Sequence, residues 1–422
     1  MKWVLPAGNR VRLLNLGCAL FIFLFCVWYA TSHQIRRWAV NPNDWSDYGL
    51  NYFKSLGLIN FLVYPPWSNG FFYPPPNALL RMGLGQMGLE TSGILWLVLL
   101  VMSAIGVIGM SLHLSGLSKH PAKYVLALLA LLAVEYWVEY DLRTLNGNLI
   151  YLASLLLVLV LACQSMPYTA GFFLAASIVL KLYSLLFLPY FLLRGQYRLC
   201  LAAALWLGIF FVAIPVAYFG MNTAFALTVN WVETLWTMGS SMNFPLEFPA
   251  YVISLHKTLL TLLTDKGGRE IYNVMNMSEE RVFSLTQVVQ LVWLGLVAFY
   301  FWTGHYRPSE IQPGTRLMMD AGVLTLLPLP LSPLLQPHHG ASLLISAIIL
   351  VSVVFSPRLP DSVRWLTVGI LLVCGLTTQF GPSGNLRGLG IMISLFLFLF
   401  GLIRICSGKY ALASIQHHRP QE

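Results

Sequence analysis

The chain has 422 residues, of which 57% are hydrophobic and only 10% are charged, and its mean hydropathy is +0.71. Because about a quarter of the residues in soluble globular proteins are charged, this composition excludes an ordinary soluble fold and predicts an all-α, polytopic membrane protein. The net charge of +9 is then a membrane-orientation signal, and no pattern of basic and aromatic residues indicates nucleic-acid binding.

Apolar runs of about the length needed to cross a bilayer recur along the chain. The first, residues 12–31, is too long for a signal-peptide core and lacks a small-residue cleavage site, so it is predicted to be a span. The other runs are 92–114, 122–139, 148–163, 199–219, 284–303, 317–335, 341–356, 365–380 and 388–405. Together with residues 168–193 they predict one integral membrane domain, 1–422, with about twelve transmembrane or re-entrant helices.

The first long connection, residues 32–91, holds two carboxylates and then the proline-rich stretches YPPW and FFYPPP. Prolines at this density predict a stiff, non-helical loop. Asp44 and Asp47 are three residues apart, so on a helical turn they would share a face, and one of them can act as a general base. The same pair is also typical of solvated loop or helix-capping positions.

Acidic and amide residues cluster at the end of the third apolar segment. Glu135 and Glu139 are four residues apart and share a helix face. The pattern is consistent with a cavity wall and equally with an ion-paired helix end. The remaining members of the cluster are Asp141, Arg143, Asn146 and Asn148.

Lys181 lies in the middle of an apolar segment, residues 168–193. A lysine that faces lipid at mid-bilayer is costly, so a single straight span is disfavoured. The sequence predicts two short helices of about 12 residues each that meet at Lys181, with the lysine in a water-accessible cavity.

The second long connection, residues 220–283, contains YVISLHKTLLTLLT. Its apolar residues Val252, Leu255, Leu259 and Leu263 recur at helical spacing. This predicts a helix in the membrane interface or a short helix packed on the bundle.

The stretch LSPLLQPHHG ends an apolar run with a histidine pair. Pro333 and Pro337 break the helix and are expected to leave His338 and His339 at the outer surface. A histidine pair there can bind a phosphate, shuttle a proton or bind a metal, and a solvated helix end is the alternative. Because adjacent residues point apart on a helix, the pair is weak evidence for a metal site.

The positions of basic residues predict the orientation. With the N-terminus inside, the inner loops and tails hold 14 of the 25 Lys and Arg residues and 4 of the 16 acidic residues. Both long connections then lie outside, and Asp44, Lys181 and the histidine pair share the outer face. One carboxylate base with several cationic groups suits a displacement that releases a lipid phosphate.

These motifs together resemble glycosyltransferase family 87, membrane enzymes of the GT-C type. DWSDY…YPP…FFYPPPNALL resembles the family's Asp-aromatic-x-x-Tyr and Tyr-Pro-Pro pattern, and LSPLLQPHHGASLL resembles its Ser-Pro…His-His motif. LNGNLIYLASLLL, followed by AGFFLAASIVLKLYSLLFLPYFLLRGQYR, resembles the family's fourth and fifth segments, including the buried lysine. The resemblance extends over residues 11 to about 345.

The resemblance implies a GT-C-type bundle that acts at the periplasmic face of a bacterial inner membrane. The implied reaction is inverting transfer of a hexose such as mannose, or of arabinofuranose, from a polyprenyl-phosphate donor to a lipid or glycan acceptor. By position, Asp44 is the implied base, and Lys181 with His338 or His339 holds the donor phosphate. The implied substrate-binding residues are Asp47, Tyr48, Tyr73, Asn146, Asn148 and Asn243.

Three stretches depart from the family pattern and concern the acceptor more than the reaction. They are Asn146-Gly147-Asn148 in place of Gly-Gln, Asn243-Phe244-Pro245 in place of Asn-Gln-Ser, and Leu335-Gln336-Pro337 in place of Ser-Trp.

Neither a metal cofactor nor a disulfide framework is expected. The outer acids form no Asp-x-Asp pair, and the six cysteines lie in or beside apolar segments without CxxC or Cys/His spacing.

Two other classes of protein are alternatives. A lipid or sugar transporter also has mid-membrane charges and broken helices, but internal repeats are typical of it and none is seen here. A scaffold protein of the cell envelope would leave the position of Lys181 unexplained.

Overall fold

The computed structural model describes residues 7–41, 44, 46–61, 73–240, 252–265, 274–305, 313–333, 335–354, 360–379 and 384–407. Within these ranges all regular secondary structure is helical. The expectation of an all-α fold is therefore confirmed for the described part of the chain. Asn243 lies outside the described residues.

The α-helices are numbered in chain order. They are α1 (Ala7–Val40), α2 (Ser46–Phe61), α3 (Pro75–Gly85), α4 (Leu89–Leu114), α5 (Lys123–Ala133), α6 (Glu135–Thr144), α7 (Asn148–Cys163), α8 (Pro167–Leu180), α9 (Phe187–Leu193), α10 (Tyr197–Gly208), α11 (Ile214–Phe219), α12 (Met221–Ser240), α13 (Leu255–Leu263), α14 (Glu279–His305), α15 (Pro313–Leu326), α16 (Leu343–Val354), α17 (Asp361–Gln379) and α18 (Gly384–Ser407). The 3-10 segments are Leu117–Lys119, Leu182–Leu186 and Pro337–Ser342, and a π-helical turn, Ile209–Ala213, joins α10 to α11.

Several helices in the described part of the chain are long and apolar enough to cross a membrane. They are Arg10–Val40, Leu89–Leu114, Tyr197–Phe219, Glu279–Thr303 and Gly388–Ile405. Helices α6 and α7 meet the same criteria only as a pair, and the 111° bend between them fits either a broken span or a re-entrant loop. The chain is a multi-pass membrane protein. The total of about twelve crossings stays a prediction.

Helix α16 lies in the centre of the bundle. Its residues 343–350 are all buried, and it packs against α5, α15 and α17. A helix that is apolar on every side is suited to a bundle interior or to lipid, and here neighbouring helices enclose it. The 3-10 segment Pro337–Ser342 leads directly into α16 and packs against α6. The histidine pair is thus attached to the buried centre of the bundle.

The helix break at Lys181 is confirmed. Helix α8 ends at Leu180, Lys181 has an extended backbone (φ −147°, ψ 116°), and the 3-10 segment Leu182–Leu186 follows. The break allows Lys181 to point into a cavity and not into an apolar helix interface.

Two predicted helical segments are shorter than expected. The single helix over 122–139 is wrong, since Val134 leaves the helical conformation (φ −130°, ψ 18°) and separates α5 from the polar α6. Helix α15 ends at Leu326 and not near residue 335. Pro328 and Pro330 follow, and proline cannot continue an α-helix.

The first long connection was predicted to be non-helical, and this is wrong for much of it. Helix α1 continues to Val40, and α2 and α3 lie within the connection. Helix α3 begins in the proline run, with Pro75 and Pro76 in its first turn. Backbone N–H groups in the first turn of a helix have no acceptor within the helix, so proline loses no hydrogen bond there. These prolines therefore start a helix.

The second connection is also more helical than expected, because α12 occupies its first 20 residues. The predicted helix within YVISLHKTLLTLLT is confirmed as α13, and the side chain of its N-cap residue Ser254 accepts a hydrogen bond from the backbone N–H of Lys257 (3.3 Å). One face of α13 is buried, and it packs against α14 and α18. This packing favours the interpretation as a helix docked on the bundle.

A buried carboxylate on α15 connects several helices of the bundle. Asp320, 1% exposed, accepts hydrogen bonds from Tyr190 (2.8 Å), Tyr300 (2.9 Å), Arg194 (2.6 Å) and Arg316 (3.0 Å). Because these donors lie on or directly beside three helices, the single carboxylate connects α9, α14 and α15. Nothing in the local sequence around Asp320 predicts this network.

Candidate active site

A cavity of about 960 Å³ opens between α2, the Lys181 break and the segment that carries the histidine pair. Six residues predicted from the sequence line it: Asp47, Tyr73, Asn146, Lys181, His338 and His339. Much of the remaining wall is leucine and proline. A mainly apolar pocket with a few convergent polar groups is the usual form of a small-molecule or lipid site.

Lys181 and His339 form the cationic end of the cavity. The Lys181 Nζ atom lies 3.4 Å from His339 Nε2. His339 Nδ1 lies 3.0 Å from the backbone nitrogen and 3.3 Å from the carbonyl oxygen of Gln336, so the neutral ring can carry its proton on either nitrogen. With the proton on Nε2, the ring and the Lys181 ammonium are two adjacent donors, an arrangement that binds an anionic oxygen.

The histidine pair is buried and not solvated. His338 is 3% exposed and His339 is 8% exposed, and their ring centroids are 4.4 Å apart. The expectation of a solvated helix end at the outer surface is wrong, because α6 covers the 3-10 segment that carries the rings. Among the described residues, His338 Nδ1 has no hydrogen-bond partner.

Asp47 lies in the first turn of α2 and its side chain lines the cavity. Its Oδ2 accepts a hydrogen bond from Asn146 Nδ2 (3.0 Å). Burial raises the pKa of the Asp47 carboxyl, and the Asn146 hydrogen bond and the charges of Arg37, Lys181 and Lys54 oppose that rise. Asp47 is thus a carboxylate with an increased proton affinity beside the cationic end of the cavity.

Asp44 has a different environment. It precedes α2, so it does not share a helix face with Asp47. Its carboxylate receives two hydrogen bonds from Arg37 Nη1, at 2.9 and 3.1 Å, and both side chains are 37% exposed. Asp44 is not among the described residues that line the cavity.

A chain of amide hydrogen bonds connects Asp47 to a second, fully buried carboxylate. Asp141 accepts from the Asn148 side chain (2.8 Å) and from the backbone N–H groups of Asn148 (3.2 Å) and Leu149 (3.0 Å). The Asn148 amide also donates to Asn146 Oδ1 (3.1 Å). Asn146 must therefore present its NH₂ group to Asp47, since its oxygen is already an acceptor.

The turn before α7 brings these amides together. Gly147 has φ +107°, and a Cβ atom at this position would lie 2.7 Å from the Trp96 ring. Only glycine meets both requirements at low cost. Asn148 itself does not line the cavity, so the structure gives it contacts with Asp141 and Asn146 and no exposed surface for a ligand.

The other acidic residues of this region form ion pairs or hydrogen bonds away from the cavity. Glu139 pairs with Arg143 (3.4 Å), and Glu135 accepts a hydrogen bond from Tyr29 (3.4 Å). For Glu135 and Glu139 the structure favours the ion-paired helix end, whereas Asn146 of the same cluster lines the cavity.

The two predicted tyrosines differ in position. Tyr48 is fully buried and packs against Trp96, with ring centroids 5.3 Å apart, so it belongs to the core. Tyr73 lines the cavity, and the Lys181 ammonium lies 5.6 Å from the centre of its ring.

Sequence reasoning missed Arg81. This arginine is 2% exposed, and its guanidinium lies 5.0 Å from the centre of the Tyr73 ring and 5.1 Å from that of Trp96. Its Nε atom donates to Asn77 Oδ1 (2.9 Å). Through its cation–π contact, Arg81 thereby stabilises the position of the cavity-lining Tyr73 ring. The only signal in the sequence is a lone arginine in the apolar stretch NALLRMGLG.

In the described ranges, no group of three or more His, Cys, Asp or Glu side chains is arranged to hold a metal ion. The expected metal independence stays a prediction, because no measurement bears on it.

The family model for glycosyltransferase family 87 matches residues 71–333, which is more than half of the chain. The matched range includes Tyr73, Asn146 and Lys181 but neither Asp44, Asp47 nor the histidine pair. The comparisons found no match among curated proteins or among solved structures. The match thus indicates the family, and it does not decide which carboxylate serves as the base.

Proposed function

The chain belongs to glycosyltransferase family 87, and we propose that it transfers a monosaccharide from a polyprenyl-phosphate donor to a hydroxyl group of a lipid or glycan acceptor, with inversion. The observation that carries this proposal is the cavity that holds the Asp47 carboxylate together with the Lys181–His339 donor pair. Such a reaction needs a base for the attacking hydroxyl and positive donors for the departing phosphate.

The proposed step is a single displacement. Asp47 removes the proton of the acceptor hydroxyl while its oxygen forms a bond to the anomeric carbon. The bond between that carbon and the phosphate oxygen breaks, and polyprenyl phosphate leaves with the electron pair. Lys181 and His339 stabilise the charge that develops on the leaving oxygen. Attack from the face opposite the leaving group inverts the anomeric centre.

We propose Asp47 as the base in place of Asp44. Asp47 lines the cavity and has a raised pKa, which suits a group that must accept a proton. The Asp44 carboxylate is engaged by Arg37 and is not among the described residues that line the cavity.

The apolar part of the cavity supports a lipid-linked donor. Its wall includes Leu185, Leu186, Trp231, Leu235 and Leu294, which suits the isoprenoid chain next to the phosphate. Tyr73 and Asn146 lie where a sugar would sit between base and phosphate. A hexose, mannose foremost, is the proposed sugar, and a pentose such as arabinofuranose is the second choice.

The proposed location is the bacterial inner membrane, with the cavity open to the periplasm. The support is the excess of Lys and Arg in the predicted inner loops. Single cysteines at positions 44 and 196 in a cysteine-free background test it. A membrane-impermeant maleimide should label position 44 from the periplasmic side but not position 196, and the reverse result would overturn the orientation.

The central experiment uses the full-length protein, purified in detergent. It is incubated with membrane lipid extract and a panel of labelled polyprenyl-phosphate donors that carry mannose, glucose or arabinofuranose. We expect one donor to give a glycosylated lipid whose new linkage has the inverted configuration by NMR, with and without a chelator. If no donor in the panel is consumed by a folded protein, the proposal fails.

A further inference from the structure

One face of α2 places a second lysine, Lys54, in the wall of the cavity. Asp47, Leu50, Asn51 and Lys54 all line it, and their spacing of three, four and seven residues puts them on one side of the helix. The charged Asp, Glu, Lys and Arg side chains that line the cavity, among the described residues, are Asp47, Lys54 and Lys181. The proposed reaction uses the first and the last, and it leaves Lys54 without a role.

Lys54 is half-buried, and in the described part of the chain it makes no ion pair. Burial lowers the pKa of Lys54, and the nearby Asp47 carboxylate opposes that shift. Asp47 is already bonded to Asn146, so it is not a full partner for the ammonium. A cation on an apolar cavity wall is stabilised by an anionic group of the ligand that enters the cavity.

The reaction geometry indicates which substrate carries that group. In an inverting displacement the base and the leaving group act on opposite faces of the sugar. Lys181 and His339 serve the leaving phosphate, whereas Lys54 shares a helix face with the base. Lys54 therefore lies on the acceptor side of the reaction.

We propose that Lys54 binds a phosphate group of the acceptor, so that the acceptor is an anionic, phosphate-bearing lipid and not a neutral glycan. This inference rests on the proposed function. The seven residues between Asp47 and Lys54 correspond to about 10 Å along the helix axis. The phosphate is thus separated from the attacking hydroxyl by the body of the headgroup, and the lipid chains follow the apolar wall.

The test compares two acceptors that differ only in charge: a dialkylglycerol hexoside, and the same hexose linked to the same dialkylglycerol through a phosphodiester. Binding of each to the full-length protein in detergent is measured by calorimetry without donor. The wild-type protein should bind the phosphodiester at least about tenfold more tightly, which is the range expected for a charge-assisted hydrogen bond. Lys54→Gln should remove this preference, and Lys54→Arg should keep most of it.

Lys257→Gln is the matched control, because Lys257 is also a partly buried lysine on an amphipathic helix but does not line the cavity. It should keep the preference for the phosphodiester. Equal binding of the two acceptors by the wild-type protein, or an unchanged preference in Lys54→Gln, would overturn the inference. Displacement of the phosphodiester by an equal concentration of inorganic phosphate would also overturn it, since the site would then take free phosphate.

The binding assay separates this inference from the proposed function. A charge preference that depends on Lys54, in a protein that uses no polyprenyl-phosphate donor, would refute the proposed transfer but keep an anionic-lipid site. Transfer to the neutral and the anionic acceptor with equal KM would refute the role of Lys54 alone.

Discussion

The exchange of Asp47 and Asp44 for asparagine separates the two candidate bases. Asp47→Asn keeps the size of the side chain and removes its basicity, and loss of a general base costs about 10² to 10⁴ in rate. Asp44→Asn removes the charge of a carboxylate that pairs with Arg37, and both side chains are 37% exposed. Such pairs contribute about 0 to 1 kcal/mol, so this variant should keep at least about a fifth of the wild-type rate.

The assay is a single-turnover measurement with saturating donor, and the thermal unfolding temperature of each purified variant is the folding control. Donor binding is measured separately, because Asp47→Asn should still bind the polyprenyl-phosphate sugar through Lys181 and His339. The reasoning is refuted if Asp44→Asn is the inactive variant and Asp47→Asn turns over normally. It is also refuted if both variants are active.

Three further predictions follow from the same contacts. Asn146→Ala removes the hydrogen bond that opposes the raised pKa of Asp47, so the acid limb of the pH profile of kcat/KM should move to higher pH; an unchanged limb would mean that this carboxyl is not the group that titrates. Lys181→Arg should retain more activity than Lys181→Met, because phosphate binding needs a cation and arginine cannot titrate; equal loss in both folded variants would favour a proton-transfer role. Asp320→Asn should lower the stability of the fold by about 3–5 kcal/mol, seen as a lower unfolding temperature, because it leaves two arginines without their buried partner; an unchanged unfolding temperature would contradict the assigned network.

The break at Lys181 could be predicted from the sequence, because one charged residue in an apolar run imposes a local cost that a change of backbone direction relieves. The prolines of the first connection were misleading for an equally local reason. Proline prevents helix in the interior but not in the first turn, and the sequence does not say where the first turn lies.

The choice between Asp44 and Asp47 lay beyond the local sequence. Both follow the same apolar segment, and their different environments come from Arg37, at the end of α1, and Asn146, which lies 99 residues from Asp47. The burial of the histidine pair has the same origin, since it depends on the packing of α6 over the Pro337–Ser342 segment. Such tertiary contacts decide which of several plausible polar residues faces the cavity.

The electrostatics of the cavity also favour a fixed order of events in the proposed reaction. In the unliganded protein, burial raises the pKa of Asp47, and the positive charge of Lys181 is one of the effects that oppose this rise. In the proposed reaction, the negative charge of a donor phosphate beside Lys181 reduces that opposing effect, and the proton affinity of Asp47 rises further. The base therefore becomes stronger only once the sugar that is to be attacked is in place. An acceptor hydroxyl that enters first meets a weaker base, which disfavours its deprotonation before the donor has bound.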